Sequence, residues 1–345
     1  MIKSKMMLDS DKERLGQRVY DAEFLRCLAC FSVVLAHCTG LTFSSSILLN
    51  SMARFCVPVF IILSGRFCLM RERSIKHYLK KCFHLLIVFL FWSSIYELFD
   101  IVARNKPFSK QEAFRSMLTG PLHFWYIYTA IALYLAAPIL YAFCRQATKA
   151  QLIYYLCLSF FFGSIVTTAL RTSYVPMLQV IIEKMKIGYT VGFLFLFIFG
   201  YYKEAIGIEK RHRILLYIAG GIGLAITWLG TCYLQQRGSS NDEQFLSLFT
   251  PNVILYSLAV YVFITECKKL KPISTTCLKA ISEISSCSFG IYLLHPLILQ
   301  QAISKITALS LLPNVILIFS RAGLAFLLSF FFTFVLKKSF FRKLL

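Results

Sequence analysis

The sequence is short of charged residues, which make up only 15% of its 345 positions. An average soluble domain carries about 25%. Acidic side chains are the scarcest, since 16 Asp and Glu stand against 37 Lys and Arg. Apolar residues reach 58% and include 33 Phe, which is more apolar surface than one soluble core of this size can bury. A soluble globular fold is therefore excluded, and an integral membrane protein is indicated.

Internal repeats, low-complexity segments and long linkers are also lacking. A solenoid and an appended soluble domain are therefore not expected. We predict one domain over residues 1–345, with a short cytoplasmic N-terminal tail at 1–23 and a C-terminal tail at 337–345. The N-terminal residues contain no apolar stretch that ends in a small-residue cleavage site, so no cleaved signal peptide is expected.

The sequence contains 12 cysteines, most of them inside or at the ends of apolar runs. Free cysteine in such surroundings behaves as a small hydrophobe. Cys27 and Cys30 form a C-x-x-C pair within an apolar segment, which leaves redox or metal chemistry as an alternative. This spacing arises readily in a chain with so many cysteines, and we predict no metal site.

The net charge of +21 would suggest a nucleic-acid partner in a soluble protein. Here the basic residues cluster between apolar runs. That pattern is typical of membrane orientation and of contact with anionic headgroups. We therefore expect the bilayer as a partner and no nucleic acid.

Ten apolar segments are long enough, or nearly so, to cross a bilayer, which takes about 20 residues as a helix. The predicted fold class is all-α, a polytopic integral membrane protein. The predicted spans are Leu25–Phe43, Ile47–Leu69, Cys82–Val102, Leu122–Phe143, Leu152–Leu170, Ile187–Tyr202, Ile214–Leu234, Phe249–Thr265, Ile284–Ile303 and Pro313–Leu336.

Ten spans place both termini on one side of the membrane. Most of the 37 Lys and Arg residues then fall in the two tails and in the loops on that same side. Because cytoplasmic loops carry the excess of Lys and Arg, both termini are predicted to be cytoplasmic. This side is called the inner side below, and the opposite side the outer side.

Arg26 and His37 are ionisable residues within the first apolar segment. Such residues are costly at membrane depth and are functional candidates. Eleven steps of about 100° return to nearly the same helix face, so both side chains share a stripe about 16 Å long. Glu23 lies one turn before Arg26 and is placed to pair with it. The alternative is that Arg26 reaches the headgroups and His37 bonds a neighbouring helix.

A second cluster runs from Arg54 on the outer side to Ser64 and Gly65. A basic stretch follows it on the inner side. Its cations serve either as a membrane anchor or as a landing site for the phosphates of a cytosolic donor. The stretch consists of Arg66, Arg71, Arg73, Lys76, Lys80 and Lys81.

Two more histidines lie near apolar segments. Tyr292 and His295 are one helical turn apart on the same face, and Pro296 frees a backbone carbonyl beside them. The alternative for His295 is a packed interhelical histidine. His123 is predicted at the outer interface, where an aromatic belt is expected.

These pieces together resemble the acyltransferase-3 family of membrane O-acyltransferases. The spacing of Arg26 and His37 is similar to its R-x10-H signature, and Glu23 takes the acidic position three residues before the Arg. The resemblance runs in order from about Tyr20 to Leu336. Three further stretches resemble the family's "R…VP.F…SG", "H-L-W-F…Y…P" and "S…IYL.H" motifs: Arg54–Gly65, His123–Pro138 and Ser288–His295.

The chain departs from the family at the start of the third span. Many members carry an Arg pair followed by another Arg, where this chain has Lys80, Lys81 and His84. Lysine keeps the charge but loses the bidentate fork of arginine. Phosphate-binding roles therefore carry over to these positions less directly. The chain looks most similar to the short members, such as the enterobacterial common antigen O-acetyltransferase group.

The resemblance implies an acyltransferase that moves an acetyl group from acetyl-CoA to a hydroxyl of a cell-surface polysaccharide or glycolipid in the inner membrane. His37 would be the general base, with Arg26 and Glu23 beside it. Donor contacts would come from Arg26, Ser64, Arg66, Lys80 and Lys81. Arg54, His123, Tyr292 and His295 would be further polar residues of the bundle.

Two alternatives stay open. One is a transporter or exporter of a glycan intermediate, because buried polar residues in ten helices also suit transport. Against it, no paired Gly- or Pro-interrupted helices occur in matching halves. The other is a subunit of an envelope-synthesis complex that has lost its chemistry.

Overall fold

The computed structural model describes residues 2–103, 109–172, 180, 184, 192–238, 243–267 and 274–345, with side chains described from Tyr20 onward except at 171, 172, 308, 310 and 340. Within these ranges every regular element is helical and no strand occurs. The predicted all-α class is therefore confirmed. The α-helices are α1 Ile2–Cys38, α2 Ser44–Ala53, α3 Cys56–Leu69, α4 Ile75–Ala103, α5 Lys110–Thr119, α6 Trp125–Gln146, α7 Lys149–Phe160, α8 Thr167–Thr172, α9 Leu194–Ala205, α10 Lys210–Gln236, α11 Pro251–Glu266, α12 Thr275–Ile298 and α13 Asn314–Lys337.

Eight helical stretches in the described ranges are long and apolar enough to cross a membrane, which confirms a polytopic membrane protein. They match eight of the ten predicted spans. The first predicted span is the C-terminal half of α1, and the described part of the sixth is α9; its residues 187–191 lie outside the described residues. The eight are Ser44–Leu69, Ile75–Ala103, Leu122–Gln146, Lys149–Leu170, Lys210–Gln236, Gln244–Glu266, Thr275–Ile303 and Asn314–Lys337.

The second predicted span is divided into two helices, α2 and α3, at Arg54 and Phe55. Pro58 explains the division. It has no N–H, so the carbonyl of Arg54 cannot receive the hydrogen bond that would continue the helix. The Phe55 carbonyl accepts from Val59 at 3.0 Å, and the regular ladder resumes there. Arg54 is therefore held at a break in the backbone.

Helix α3 lies at the centre of the bundle and most of its side chains are buried. It packs against α1, α6, α9 and α11, while α1 also packs against α12 and α13. Helices α3 and α9 approach each other closely at two glycines. A Cβ on Gly65 would collide with the backbone of Phe197, and one on Gly200 would collide with the carbonyl of Ile62. Small residues at membrane helix contacts allow such close packing.

An ion-pair network ties the inner ends of four helices together. Arg66 of α3 binds Glu204 of α9 at 3.1 Å, and both side chains are buried. Lys203 lies 3.2 Å from Glu266 of α11, which also pairs with Arg213 of α10. Charges at this depth are stable only when they are paired. The network therefore fixes α3, α9, α10 and α11 relative to one another.

Candidate active site

A cavity of about 350 Å³ opens between α1, α3, α4, α6 and α12. We call it the histidine cavity. Much of its wall is apolar or aromatic, and its polar groups come from every one of these helices. The polar and titratable residues that line it are Arg26, His37, Ser64, His84, His123, Tyr126, Tyr134, Ser288, Tyr292 and His295.

Both ionisable residues of α1 lie on the cavity wall, as the shared helical stripe predicts. Arg26 is at the inner end, with its guanidinium 5.1 Å from the ring centre of Phe67. His37 is at the outer end and is exposed to the open space of the cavity. Glu23 stands next to Arg26 on α1 and accepts a hydrogen bond from the Ser282 hydroxyl at 3.0 Å. This bond ties α1 to α12 just below the cavity.

Three histidines from three helical segments meet at the outer end. The ring centre of His295 lies 5.1 Å from that of His37 and 6.0 Å from that of His123. His123 belongs to the short helical turn Leu122–Phe124 that leads into α6. The sequence places these residues 258 positions apart at the extremes, and only the packing of α1, α6 and α12 brings them together. We call them the histidine cluster.

One hydrogen bond of His295 shows which of its two ring nitrogens carries the proton. Its Nδ1 lies 3.0 Å from the carbonyl oxygen of Ile291. A carbonyl only accepts hydrogen bonds, so Nδ1 carries the proton in the neutral ring and Nε2 keeps a free lone pair. Nε2 of His295 and Nε2 of His123 are buried without a hydrogen-bond partner among the described residues. Such buried polar atoms are costly unless another group meets them.

Two tyrosines hold the cluster in place. The Tyr292 hydroxyl donates to the backbone carbonyl of His123 at 2.6 Å. The Tyr96 hydroxyl donates to the carbonyl of Leu293 at 2.8 Å. This carbonyl lies in the turn before Pro296, where the helical ladder of α12 is weakened. Tyr292 and Tyr96 therefore join α12 to α6 and α4.

The other predicted site residues are divided between the cavity and its surroundings. Ser64 lines the cavity but donates its hydroxyl proton to the Phe60 carbonyl at 2.8 Å. Arg66 is in the buried ion pair with Glu204 rather than on the cavity wall. Lys80 is exposed, and the ammonium of Lys81 lies 4.9 Å from the ring centre of Tyr134 at the inner end of the cavity. Arg54 lines a separate space on the outer side.

Sequence reasoning did not single out Tyr126 and Tyr134 as site residues, although both line the cavity. They are spaced by eight residues on α6, a periodicity that places them on one helix face. His84 was placed only near the inner end of its helix, yet it also lines the cavity. His123 was predicted in an outer aromatic belt, and the structure places it in the cluster.

The cysteines of the C-x-x-C pair bond to backbone carbonyls of α12. The thiol of Cys27 donates to Ile281 at 3.2 Å, and that of Cys30 to Ser288 at 3.7 Å. Across the described side chains, no group of three or more His, Cys, Asp or Glu residues is arranged to hold a metal ion. The histidine cluster is thus a set of proton acceptors and donors without metal-site geometry.

The model of a family of acyltransferase domains, acyltransferase-3, matches residues 19–337. The chain belongs to the acyltransferase-3 family. No curated protein and no solved structure shows a significant match to it.

Family membership establishes a multi-pass membrane acyltransferase. The matched region of this acyltransferase-3 protein contains every residue of the histidine cavity and the helices that surround it, with α1 included from residue 19 onward. It also contains Arg66, Glu204 and the other members of the ion-pair network. The family resemblance that the four sequence stretches predicted is therefore confirmed at the level of the family.

Proposed function

We propose that this acyltransferase moves an acetyl group from acetyl-CoA to a hydroxyl of a cell-surface polysaccharide or glycolipid, within the inner membrane. The observation that carries the proposal is the position of His37. It is exposed at the outer end of the histidine cavity, and the fully buried His295 stands behind it. An imidazole with an unperturbed pKa near 6.5 is well suited to take a proton from a hydroxyl near neutral pH.

The donor enters from the inner side in this proposal. Arg26 lines the inner end of the cavity, and Lys81 lies against Tyr134 of its wall, so both provide cations where the phosphates and the nucleotide of acetyl-CoA would stay. The mostly apolar space between Arg26 and His37 suits the thin pantetheine arm. This space is about 16 Å long, measured along α1 from Arg26 to His37. The thioester would then lie beside His37, and Tyr126 and Tyr134 would line the path.

The reaction needs one proton acceptor and one place for the positive charge. His37 removes the proton from the acceptor hydroxyl, and the oxygen attacks the thioester carbonyl. The carbon–sulfur bond breaks, and the proton passes from His37 to the departing thiolate, which gives CoA and the acetyl ester. While His37 holds the proton, the neutral ring of His295, centred 5.1 Å away, would adjoin the charge and offer its Nε2 lone pair toward this region.

The choice of a glycan acceptor rests on the resemblance to the short members, such as the enterobacterial common antigen O-acetyltransferase group. The basic residues on the inner side support an orientation in which donor and acceptor meet from opposite sides. The family match favours this reading over a glycan transporter or a subunit without chemistry.

The test compares purified envelope glycans from cells that make the wild-type protein, a His37→Ala variant or no protein. Mass spectrometry should show the acetyl increment only with the wild type. A His212→Ala variant provides the matched control, because that side chain is exposed and lies on the inner side at the start of α10. Acetylation that persists in His37→Ala would overturn the mechanism. A change in glycan amount or location without a change in mass would support transport instead.

A further inference from the structure

A second space, of about 620 Å³, opens on the outer side of the bundle. We call it the outer vestibule. Trp125 lines both this vestibule and the histidine cavity, so the two spaces meet at one indole ring. The vestibule is defined here by six residues: Arg54, Trp125, Thr129, Phe193, Glu243 and Phe249.

One wall of the outer vestibule is aromatic. Trp125 and Phe193 are stacked with ring centres 5.9 Å apart, and Phe193 and Phe249 lie 4.4 Å apart. Trp125 is the first residue of α6, Phe193 directly precedes α9, and Phe249 lies two residues before α11. The Phe249 carbonyl accepts a hydrogen bond from Ser164 at 2.6 Å, which ties the backbone at this position to another segment of the chain. The wall is therefore assembled from three separate segments, each next to the start of a helix.

The vestibule also contains one cation and one anion. Arg54 is held at the break between α2 and α3, and its Nε is buried without a hydrogen-bond partner among the described residues. Glu243 is exposed, and its carboxylate is near enough to interact electrostatically with Arg54. Arg54 in turn lies within electrostatic range of His37. A ligand held by Arg54 would thus lie on the same side of the bundle as the base, with Trp125 between the two spaces.

We propose that the outer vestibule binds the acyl acceptor and that it selects an uncharged carbohydrate. This inference rests on the proposed function and adds a binding site to it. A sugar hydroxyl both donates and accepts, so it satisfies the Glu243 carboxylate and the Arg54 guanidinium together. A phosphate would be attracted by Arg54 but repelled by Glu243, and a free amine the reverse, so a singly charged group gains little from the pair. The apolar face of a pyranose packs against the aromatic wall, as in pockets that combine apolar area with a few polar groups.

The first measurement reports binding without any chemistry. The chain has three tryptophans, so a Trp92→Phe/Trp228→Phe variant of the full chain in lipid nanodiscs leaves Trp125 as the reporter. Methyl glycosides of glucose, galactose and N-acetylglucosamine are the probes. At least one should give a saturable fluorescence change, and Glu243→Gln in this background should weaken it at least 10-fold. A lack of saturable change with all three, or a change that survives Glu243→Gln, would overturn the proposal.

The second measurement separates this site from the proposed function. Acetyl transfer to extracted envelope glycan is measured for the wild type, Glu243→Gln and the control Glu209→Gln, an exposed carboxylate on the inner side. Glu243→Gln should raise the glycan KM at least 10-fold and leave acetyl-CoA binding within twofold, and the control should change neither. Acetyl transfer by Glu243→Gln with an unchanged glycan KM would refute the binding role of the outer vestibule but not the proposed function. Saturable sugar binding without any acetyl transfer would refute the proposed function and leave the vestibule in place.

Discussion

Arg66 offers a direct test of whether its charge serves the fold or the donor. Its guanidinium lies 3.1 Å from Glu204, and only 6% and 8% of the two side chains is exposed. Removing one partner of such a buried pair leaves an uncompensated charge and costs about 3–5 kcal/mol. Replacing both partners by apolar residues of similar volume is often neutral or stabilising. Arg66→Met should therefore destabilise the protein strongly, and Arg66→Met/Glu204→Leu should recover most of the loss.

The assay is thermal unfolding of the detergent-purified protein, followed by size-exclusion chromatography with fluorescence detection. At about 2 °C per kcal/mol, the single variant should lose about 6–10 °C in its midpoint. Lys149→Met is the matched control, because the Lys149–Glu209 pair is largely exposed, at 55% and 68%. Such surface pairs contribute about 0–1 kcal/mol, so the control should unfold close to the wild type.

Binding of acetyl-CoA to the double variant then decides the role of Arg66. If the ion pair is structural, the double variant is stable and binds the donor as the wild type does. A stable double variant that has lost donor binding would mean that Arg66 contacts the phosphates, as the sequence alone suggested. A single variant that unfolds at the wild-type temperature would refute the energetic reasoning itself.

Two further variants test the cluster and the central helix contact. His295→Asn keeps a side-chain N–H for the α12 carbonyl but removes the second ring nitrogen, and acetyl-transfer kinetics should show kcat lowered about 100-fold or more with little change in the KM for acetyl-CoA. A comparable rise in the KM for acetyl-CoA would contradict this role. Gly200→Ala forces a methyl group into the α3 backbone and should cost about 1–3 kcal/mol in thermal unfolding. Gly221→Ala, which meets no atom within 4 Å, should be neutral or stabilising, and equal effects of the two would contradict the packing argument.

The sequence was sufficient for the fold class and for the stripe on α1. Apolar runs long enough for a bilayer are visible directly, and the register of Arg26 and His37 follows from the helical repeat alone. The helix break at Arg54 also had a visible cause, since Pro58 stands four residues later. The ion pair between Arg66 and Glu204 had no visible cause in the sequence. Glu204 is 138 positions away, and the pairing depends on how α3 packs against α9.

The histidine cluster shows the same limit. His123 and His295 each looked like an isolated histidine with a structural alternative. Their convergence on His37 is set by the crossing of α1, α6 and α12, and no local pattern in the sequence encodes that crossing. The positions of Arg26 and His37 at the two ends of the cavity were therefore predictable, whereas the residues that surround the reacting groups were not.

The continuous course of α1 acts as a molecular ruler. No Pro or Gly lies between Arg26 and His37, and the helix runs unbroken through both. The two positions are thus rigidly spaced, and neither can move toward a substrate without carrying the other. The opposing walls are more easily deformed, since α6 contains Pro138 and α12 contains Pro296. A donor with a bulkier acyl group must therefore be accommodated sideways, by α6 and α12, because the distance along α1 cannot adjust.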